Sequence, residues 1–283
     1  MIDIKLALIG EGIGRSRAPE LHRLAGGLCG LDVTYDLIDL KAAPRNAFDA
    51  ALDACRSQGF RGVNVTHPFK ERVAERVHVA SETVRRLGAV NTVRFDSAAK
   101  PQGFNTDYTG FRTAFATRFP GSSPGVVAIV GAGGVGRAIA FALVDLHAKE
   151  IRIFDQETKK CERLASALRA HTETAVAICE TLQGATSGAD GIVNATPVGM
   201  HLYPGTPIPR SLIGAQSWAF DAVYTPTETR FLQDAMDAGL ETLDGYELFF
   251  QQGIDAFEVF SGIRVNEARL RDALTQSKAS LEI

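Results

Sequence analysis

VVAIVGAGGVG, residues 126–136, identifies the fold class of this chain of 283 residues. Five apolar residues, enough for a buried strand, precede glycines 131, 133 and 136, and a helix-period segment follows. In this strand–turn–helix context, G-x-G-x-x-G glycines allow a tight turn, close approach of a pyrophosphate, and close packing of helix on strand. The stretch predicts a dinucleotide-binding loop of Gly131, Ala132, Gly133, Gly134, Val135 and Gly136.

Short apolar runs alternate with helix-period segments on both sides of this loop, which is typical of an α/β fold with mostly parallel strands. We expect further strands at residues 5–9, 33–38, 62–65, 89–95, 103–104, 151–154, 191–194 and 217–222. Helices are expected at 44–56, 135–146, 159–170, 228–238, 246–261 and 266–276, and from Pro19 onward. Trp218 lies in an apolar strand and is expected in the core.

Asp155 ends the strand that follows the glycine loop, at the separation where an acidic residue meets the ribose of a dinucleotide. A carboxylate there accepts hydrogen bonds from both ribose hydroxyls of NAD and repels the 2′-phosphate of NADP. Lys159 and Lys160 are near enough to leave NADP open. The sequence therefore favours NAD over NADP.

The composition limits the class of partner. A formal net charge of −3 would not attract nucleic acid or an anionic membrane. Four cysteines and six histidines are dispersed, without metal-ligand spacing, so we expect no metal site and a reducing compartment. These features predict a cytoplasmic protein with a small-molecule substrate. The sequence carries no signal for the oligomeric state, which is left as monomer or homodimer.

Four polar clusters follow strand ends or turns in the first third of the chain, where open α/β sheets bind ligands. They are Ser16; Asn64, Thr66 and Lys70; Asn91 and Thr92; and Asn105, Thr106 and Asp107. Amides and hydroxyls suit a polyhydroxylated ligand, and a lysine or carboxylate suits proton transfer. The clusters predict a site for a hydroxylated substrate.

Motifs spread over most of the chain resemble those of the shikimate dehydrogenase family, which includes quinate/shikimate dehydrogenases. They are SRAP at 16–19 with His22, NVTHPFK at 64–70, GAVNT at 88–92, NTD at 105–107, the glycine loop, NATPVGM at 194–200, DAVYTP at 221–226 with Thr229, and Gln252. The resemblance implies an N-terminal substrate domain (1–106), a Rossmann-type NAD(P) domain (107–244) and C-terminal helices that return to the first domain (245–283).

The resemblance also implies roles for individual residues. Lys70 and Asp107 would form the catalytic pair that exchanges a proton with a ring hydroxyl of shikimate or quinate. Ring hydroxyls would be held by Asn64, Thr66, Asn91 and Gln252, and the carboxylate by Ser16 and Tyr224, with Ala18 beside it. Beyond the glycine loop and Asp155, the cofactor would be bound by Thr196, Pro197, Met200, Val223 and Gly245.

Ala18 departs from the family pattern, which has a second serine in biosynthetic members and can have threonine in quinate-active ones. If Pro19 is the first helical residue, position 18 is the N-cap, where alanine is poor. A lost hydrogen bond to the substrate carboxylate would cost about 1.5–3 kcal/mol. Arg15 or Arg17 could compensate, or the smaller side chain could make room for an extra substituent, as in quinate or an aminated analogue.

Two alternatives to an NAD-linked quinate/shikimate dehydrogenase remain open. One is an NADP-dependent biosynthetic shikimate dehydrogenase, against which Ala18 and Asp155 argue. The other is a catalytically weak, ligand-binding regulator of the same fold, against which the intact Lys70 and Asp107 argue.

Overall fold

A computed structural model describes residues 2–44, 46–96 and 100–281. The chain forms two compact units, residues 1–106 with 252–283, and Asp107–Gln251. The expected limits 1–106, 107–244 and 245–283 stay predictions. The helix at Gly245–Ser261 contains the last residues of the second unit and the first of the returning segment.

The first unit is built on a five-stranded sheet of order β2-β1-β3-β4-β5. Strands β1, β2 and β3 are parallel, whereas β4 is antiparallel to both β3 and β5. The strands are β1 (Ile2–Gly10), β2 (Leu31–Asp39), β3 (Gly62–Val65), β4 (Thr92–Arg94) and β5 (Gln102–Phe104). The helices are α1 (Ala18–Leu28), α2 (Ala47–Ser57), α3 (Lys70–Ala74), α4 (Glu82–Leu87) and α11 (Glu267–Leu281).

This topology brings the ends of β1, β3 and β5 and the start of β4 to one edge of the sheet, because β4 runs opposite to its two neighbours. The register pairs Asn64 near the end of β3 with Thr92 at the start of β4. Valines of β3 and β4 are fully or almost fully buried against Phe48 and Leu52 of α2. The apolar core therefore supports the edge where the polar clusters lie.

The second unit is a six-stranded, wholly parallel sheet of order β11-β10-β9-β6-β7-β8, the Rossmann arrangement. The strands are β6 (Val126–Val130), β7 (Glu150–Phe154), β8 (Ala175–Ile178), β9 (Gly191–Asn194), β10 (Trp218–Asp221) and β11 (Glu241–Leu243). The helices are α5 (Thr106–Arg118), α6 (Gly134–Asp145), α7 (Thr158–Arg169), α8 (Leu182–Thr186), α9 (Arg230–Asp237) and α10 (Gly245–Ser261), with a 3₁₀ turn at Arg210–Leu212. The predicted α/β class is confirmed.

Trp218 is a core residue, as predicted. Its ring packs edge-on against Phe115 at 5.1 Å, and its indole N–H donates to the Pro124 carbonyl at 3.1 Å. Phe111 packs edge-on against Phe220 at 4.9 Å. These aromatic contacts hold α5 against β10.

The sequence patterns missed several elements, among them α5, the helix that carries Asp107. Its buried face includes Asp107 and Gly110 alongside Phe111 and Phe115, so the helical period of apolar residues is interrupted. Strands β8 and β11 were also missed, because one is only partly buried and the other has three residues. Among the described residues, no helix has the length and apolarity to cross a bilayer.

Candidate active site

Amide and hydroxyl side chains form a buried network at the carboxyl edge of the first unit's sheet. Asn91 accepts the Thr106 backbone N–H at 2.7 Å through Oδ1 and donates to Thr106 Oγ1 at 3.0 Å through Nδ2. Thr106 Oγ1 lies 3.4 Å from Gln252 Oε1. Asn64 Nδ2 donates to Thr92 Oγ1 at 3.0 Å, which in turn contacts Asn91 Oδ1 at 3.1 Å. The structure thus joins Asn64, Asn91 and Gln252, three of the predicted substrate residues, in one hydrogen-bonded cluster.

The loop after β1 presents Ser16 and Ala18 in a conformation fixed by its own hydrogen bonds. Asp39 at the end of β2 accepts the Gly12 and Ile13 backbone N–H groups at 2.9 and 3.1 Å. Thr66, just after β3, is tied to the end of β1, since its N–H donates to the Ile9 carbonyl at 3.0 Å. The predicted residues Ser16, Ala18 and Thr66 therefore all lie on segments anchored to β1 and its neighbours.

The expectation that Ala18 is the N-cap of α1 is wrong. The helix begins at Ala18 itself, and Arg17 is the cap residue, without a side-chain capping bond. Ser16 Oγ accepts the Ala18 N–H at 3.3 Å, so a hydroxyl two residues upstream partly serves the exposed helix N–H groups. Alanine at position 18 therefore does not remove the helix cap.

Lys70 is the first residue of α3, a helix of five residues clamped to α2. Phe69 stacks on Phe48 with ring centroids 4.6 Å apart, and Arg72 pairs with Asp49. The Lys70 carbonyl accepts the Val90 N–H at 2.9 Å. So short a helix would be unstable alone, and these contacts hold the Lys70 backbone in place.

The glycine loop of the second unit has the geometry of a dinucleotide cradle. Gly131 has φ of +103°, and a Cβ there would come within 2.8 Å of the Ala195 backbone. A Cβ on Gly136 would lie 2.0 Å from the Gly131 carbonyl oxygen, whereas one on Gly133 would meet nothing within 4 Å. Gly133 caps α6 in an extended conformation and leaves open space at the helix N-terminus. These residues fit the diphosphate of a dinucleotide.

Asp155 follows β7 and ties the loop to the next segment. Its carboxylate accepts the Ala132 N–H at 2.8 Å and the Glu157 N–H at 2.9 Å. A cavity of about 280 Å³ beside it is lined by Thr158, Cys161, Ile178, Cys179 and Glu180. Lys160, one of the two lysines that kept NADP open, is paired with Glu157 at 2.5 Å.

The other predicted cofactor residues follow β9, β10 and β11, at the same ends of the Rossmann strands as the glycine loop. Thr196 N–H and Oγ1 both donate to Asn194 Oδ1, at 2.9 and 2.7 Å, which shapes the turn through Pro197 to Met200. A Cβ on Gly245 would lie 2.5 Å from the Val223 carbonyl oxygen, so these two segments are in direct contact. Tyr224, predicted to hold the substrate carboxylate, stacks on Phe249 at 5.0 Å.

Asp221, at the end of β10, is fully buried and joins the two loops. It accepts from Asn194 Nδ2 at 2.8 Å, from the Val223 N–H at 2.9 Å and from Thr229 Oγ1 at 2.6 Å. Burial raises the pKa of Asp221 to about 6, against the three hydrogen bonds, which lower it. The carboxylate therefore organises the turns that carry Thr196 and Val223.

Because the pKa of Asp221 is higher in the folded protein than its ordinary 3.8, the folded state gains stability from this group at low pH and loses it as pH rises through about 6. The free energy of unfolding of the Asp221→Asn variant should therefore rise relative to that of the wild type between pH 4 and 6. Above pH 6 this gain in stability should stay constant. At about 1.36 kcal/mol per pKa unit, the gain is about 3 kcal/mol at most. Urea unfolding from pH 4 to 8 measures it, and a pH-independent difference would contradict the assignment.

Asp107 lies in the first turn of α5 and is buried, with 7% of its surface exposed. It belongs to the second unit, whereas Lys70 belongs to the first. A carboxylate near a helix N-terminus is favoured by the helix dipole. The described residues contain no group of three or more His, Cys, Asp or Glu side chains that could hold a metal ion.

Comparison with known proteins now decides the family. Residues 8–93 match the model of the shikimate dehydrogenase substrate binding domain, and residues 106–204 match that of the ornithine cyclodeaminase/mu-crystallin family. A quinate/shikimate dehydrogenase (NAD(+)) of Corynebacterium efficiens is 38% identical over 95% of this chain and 96% of its own. The chain belongs to the shikimate dehydrogenase family.

Relatives within the shikimate dehydrogenase family differ in cofactor. A shikimate dehydrogenase (NADP(+)) of Streptomyces avermitilis is also 38% identical, over 94% of this chain and 92% of its own. A quinate dehydrogenase of Corynebacterium glutamicum, solved in complex with NAD, is 36% identical with a TM-score of 0.88 over 97% of this chain and 99% of that one. The predicted class, an NAD(P)-dependent oxidoreductase, is confirmed.

Some residues that shape the candidate site of this shikimate dehydrogenase family member were not predicted from the sequence. Asn194, Asp221 and Thr229 belong to the family motifs, but no role is predicted for them from the sequence. An aspartate at the end of an apolar strand could have indicated that Asp221 is a buried hydrogen-bond acceptor. Tyr35 was not singled out at all, because an aromatic residue in an alternating strand is usually core.

Proposed function

We propose that this enzyme catalyses the reversible NAD-linked oxidation of a ring hydroxyl of quinate or shikimate to the 3-dehydro keto acid. The observation that carries the proposal is the network joining Asn64, Asn91, Thr106 and Gln252. Amides and hydroxyls held in place by one another can present their remaining donors and acceptors to a polyhydroxylated ring with little loss of conformational entropy.

The proposed roles follow the two units. Ring hydroxyls are held by Asn64, Thr66, Asn91 and Gln252, and the carboxylate by Ser16 and Tyr224. Lys70 and Asp107 exchange the proton of the reacting hydroxyl and titrate as a pair. When the keto acid is reduced, the same pair returns the proton to the oxygen.

The nicotinamide cofactor, when bound, accepts or donates the hydride. We propose that Gly131–Gly136 holds its diphosphate, Thr196, Pro197, Met200, Val223 and Gly245 line the rest of the site, and Asp155 selects NAD. The support for NAD is the carboxylate of Asp155 and the pairing of Lys160 with Glu157, which offsets the positive charge nearest the end of β7. Lys159 is exposed.

The Ala18→Ser variant should lower the KM for shikimate. A hydroxyl at the start of α1 can donate to the substrate carboxylate, and one hydrogen bond to a charged group of about 1.5–3 kcal/mol corresponds to roughly a 10- to 100-fold change. Ala18→Cys is the matched control, since it adds similar volume with a weak donor. Equal KM values for the two variants would show that size, not the hydrogen bond, matters at position 18.

Initial rates followed at the absorbance of the reduced nicotinamide, crossing NAD and NADP with quinate and shikimate, test the function. We expect turnover with NAD on at least one of the two acids. Turnover only with NADP and shikimate would replace the proposal by the biosynthetic activity. Micromolar binding of the ring acids without turnover would identify a regulator instead.

We also propose that the protein acts in the cytoplasm, as a monomer or homodimer. The support for the compartment is that all four cysteines are free thiols, as in a reducing environment. Sedimentation velocity of the purified protein distinguishes the two states of assembly.

A further inference from the structure

Beneath Asn64 lie two side chains that the proposed function does not use, His22 of α1 and Tyr35 of β2. Both are almost completely buried, with 1% and 2% of their surface exposed. Their rings stack with centroids 5.0 Å apart and an interplanar angle of 20°. Phe257 and Phe260 flank the imidazole at 6.3 and 5.7 Å. The pair therefore forms a rigid aromatic floor.

The polar atoms of this floor meet the Asn64 amide. The Tyr35 hydroxyl donates to Asn64 Oδ1 at 2.8 Å, and the His22 imidazole also hydrogen-bonds the Asn64 side chain. On the other side, Asn64 Nδ2 donates to Thr92 Oγ1 at 3.0 Å. Its second hydrogen faces the Asn91 carbonyl at 3.4 Å, longer than an ordinary N–H···O bond, and is therefore the donor left for a ring hydroxyl. Donors thus face the amide oxygen and acceptors face its NH₂ group, which selects one of the two amide orientations.

His22 acts here as a permanently neutral donor. Its Nδ1 is buried and has no hydrogen-bond partner among the described residues, which leaves Nε2 to bond Asn64. Burial lowers the pKa of His22 to about 3, against the hydrogen bond to Asn64, which raises it. A hydrogen bond that raises this pKa is one that the imidazole donates, so Nε2 carries the proton. The imidazole therefore keeps the same hydrogen-bonding pattern throughout the pH range in which dehydrogenases work.

We propose that Tyr35 and His22 are positioning residues that hold the Asn64 amide in one orientation and thereby set substrate affinity. The inference rests on the proposed function, in which Asn64 holds a ring hydroxyl. Without the Tyr35 hydroxyl, the amide oxygen loses a buried donor, so the amide is held less firmly in this orientation. Only the correctly oriented fraction binds substrate as before, so affinity falls while the reacting groups stay unchanged.

The Tyr35→Phe variant tests this with the ring stack intact. We expect KM for the ring acid to rise roughly 3- to 10-fold, the effect of one neutral hydrogen bond, with kcat within about twofold. In an Asn64→Ala background the same substitution should leave KM unchanged, because the two effects act through one group. Thr186→Val, which removes a buried hydroxyl from the second unit, is the matched control and should leave KM unchanged in both backgrounds.

A paired substitution tests His22. In His22→Gln the side-chain amide can replace the Nε2 donor, whereas His22→Leu cannot, and both lose the ring stack. A lower KM in His22→Gln than in His22→Leu supports the positioning role. Equal KM values in the two variants, or an additive effect of Tyr35→Phe on Asn64→Ala, overturn it.

A readout independent of turnover separates this inference from the proposed function. In protein labelled with [¹⁵N]asparagine, the side-chain NH₂ signals of Asn64 are assigned by their loss in Asn64→Ala. They should shift in Tyr35→Phe and stay in place in Thr186→Val. Unmoved signals overturn the positioning role even if quinate is turned over, whereas shifted signals support the orientation even if the substrate is another hydroxylated acid.

Discussion

Replacing Lys70 by alanine should lower kcat by about 100-fold or more, the range of general acid–base effects. The fold should survive, because α3 is held by the Phe69–Phe48 stack and by the Arg72–Asp49 pair rather than by the Lys70 side chain alone. Steady-state rates with the preferred cofactor and acid measure the effect. Lys149→Ala, at an exposed lysine of the second unit, is the matched control.

The second half of this test concerns Asp107. If Lys70 and Asp107 act as a pair, the Asp107→Asn variant should also lose most of its kcat, and the double variant should be little worse than the poorer single one. Multiplying losses would mean that the two residues act independently. An unchanged kcat in Lys70→Ala would remove Lys70 from the mechanism.

The double variant Asp155→Ser/Gln156→Arg should shift the kcat/KM ratio of NAD to NADP toward NADP by roughly 100-fold or more. It removes the carboxylate that repels a 2′-phosphate and adds a guanidinium that can bind one, and a hydrogen bond to a charged group contributes about 1.5–3 kcal/mol. Part of the loss with NAD will come from the loop, since Asp155 also accepts the Ala132 N–H at 2.8 Å. That part should affect both cofactors.

Gln233→Arg is the matched control for added charge. Gln233 lies on α9, which packs on β10 and β11. Asp155 follows β7, which is separated from β10 by β9 and β6 in the sheet. The control should leave the cofactor ratio unchanged. A ratio that also stays constant in the Asp155→Ser/Gln156→Arg variant would mean that the ribose is not placed at the end of β7.

The polar residues of the first unit show where sequence reasoning succeeds and fails. Asn64, Asn91 and Thr106 could be found because each sits at a strand end or turn, where α/β sheets bind ligands. Their hydrogen-bond partners could not be found from the sequence. The bond between Asn91 and Thr106, for example, depends on the antiparallel pairing of β4 and β5. Strand direction is a property of the sheet, and short strands carry no signal for it.

The sequence predicted the start of one helix wrongly and missed another helix altogether. Pro19 was expected to be the first residue of α1, but the helix starts one residue earlier, at Ala18. Proline is tolerated at more than one position of the first turn, so it does not mark the exact start. Helix α5 was missed because its buried face includes Asp107, whose charge hides the apolar period. A charged side chain on the buried face of a helix interrupts the apolar pattern by which a helix is predicted.

The glycine loop could be recognised from consecutive residues. A dinucleotide loop needs a positive φ, a close backbone approach and a helix N-terminus, and residues 131–136 supply all three. Asp155 could also be singled out from the sequence, since it directly follows the next strand. The orientation of the Asn64 amide and the buried state of Asp221 are different. Tyr35 is 29 residues from Asn64, and Asn194 is 27 residues from Asp221. These contacts exist only once the strands are in register, and the burial that raises the pKa of Asp221 is produced by the packed sheet, not by its neighbours in the chain.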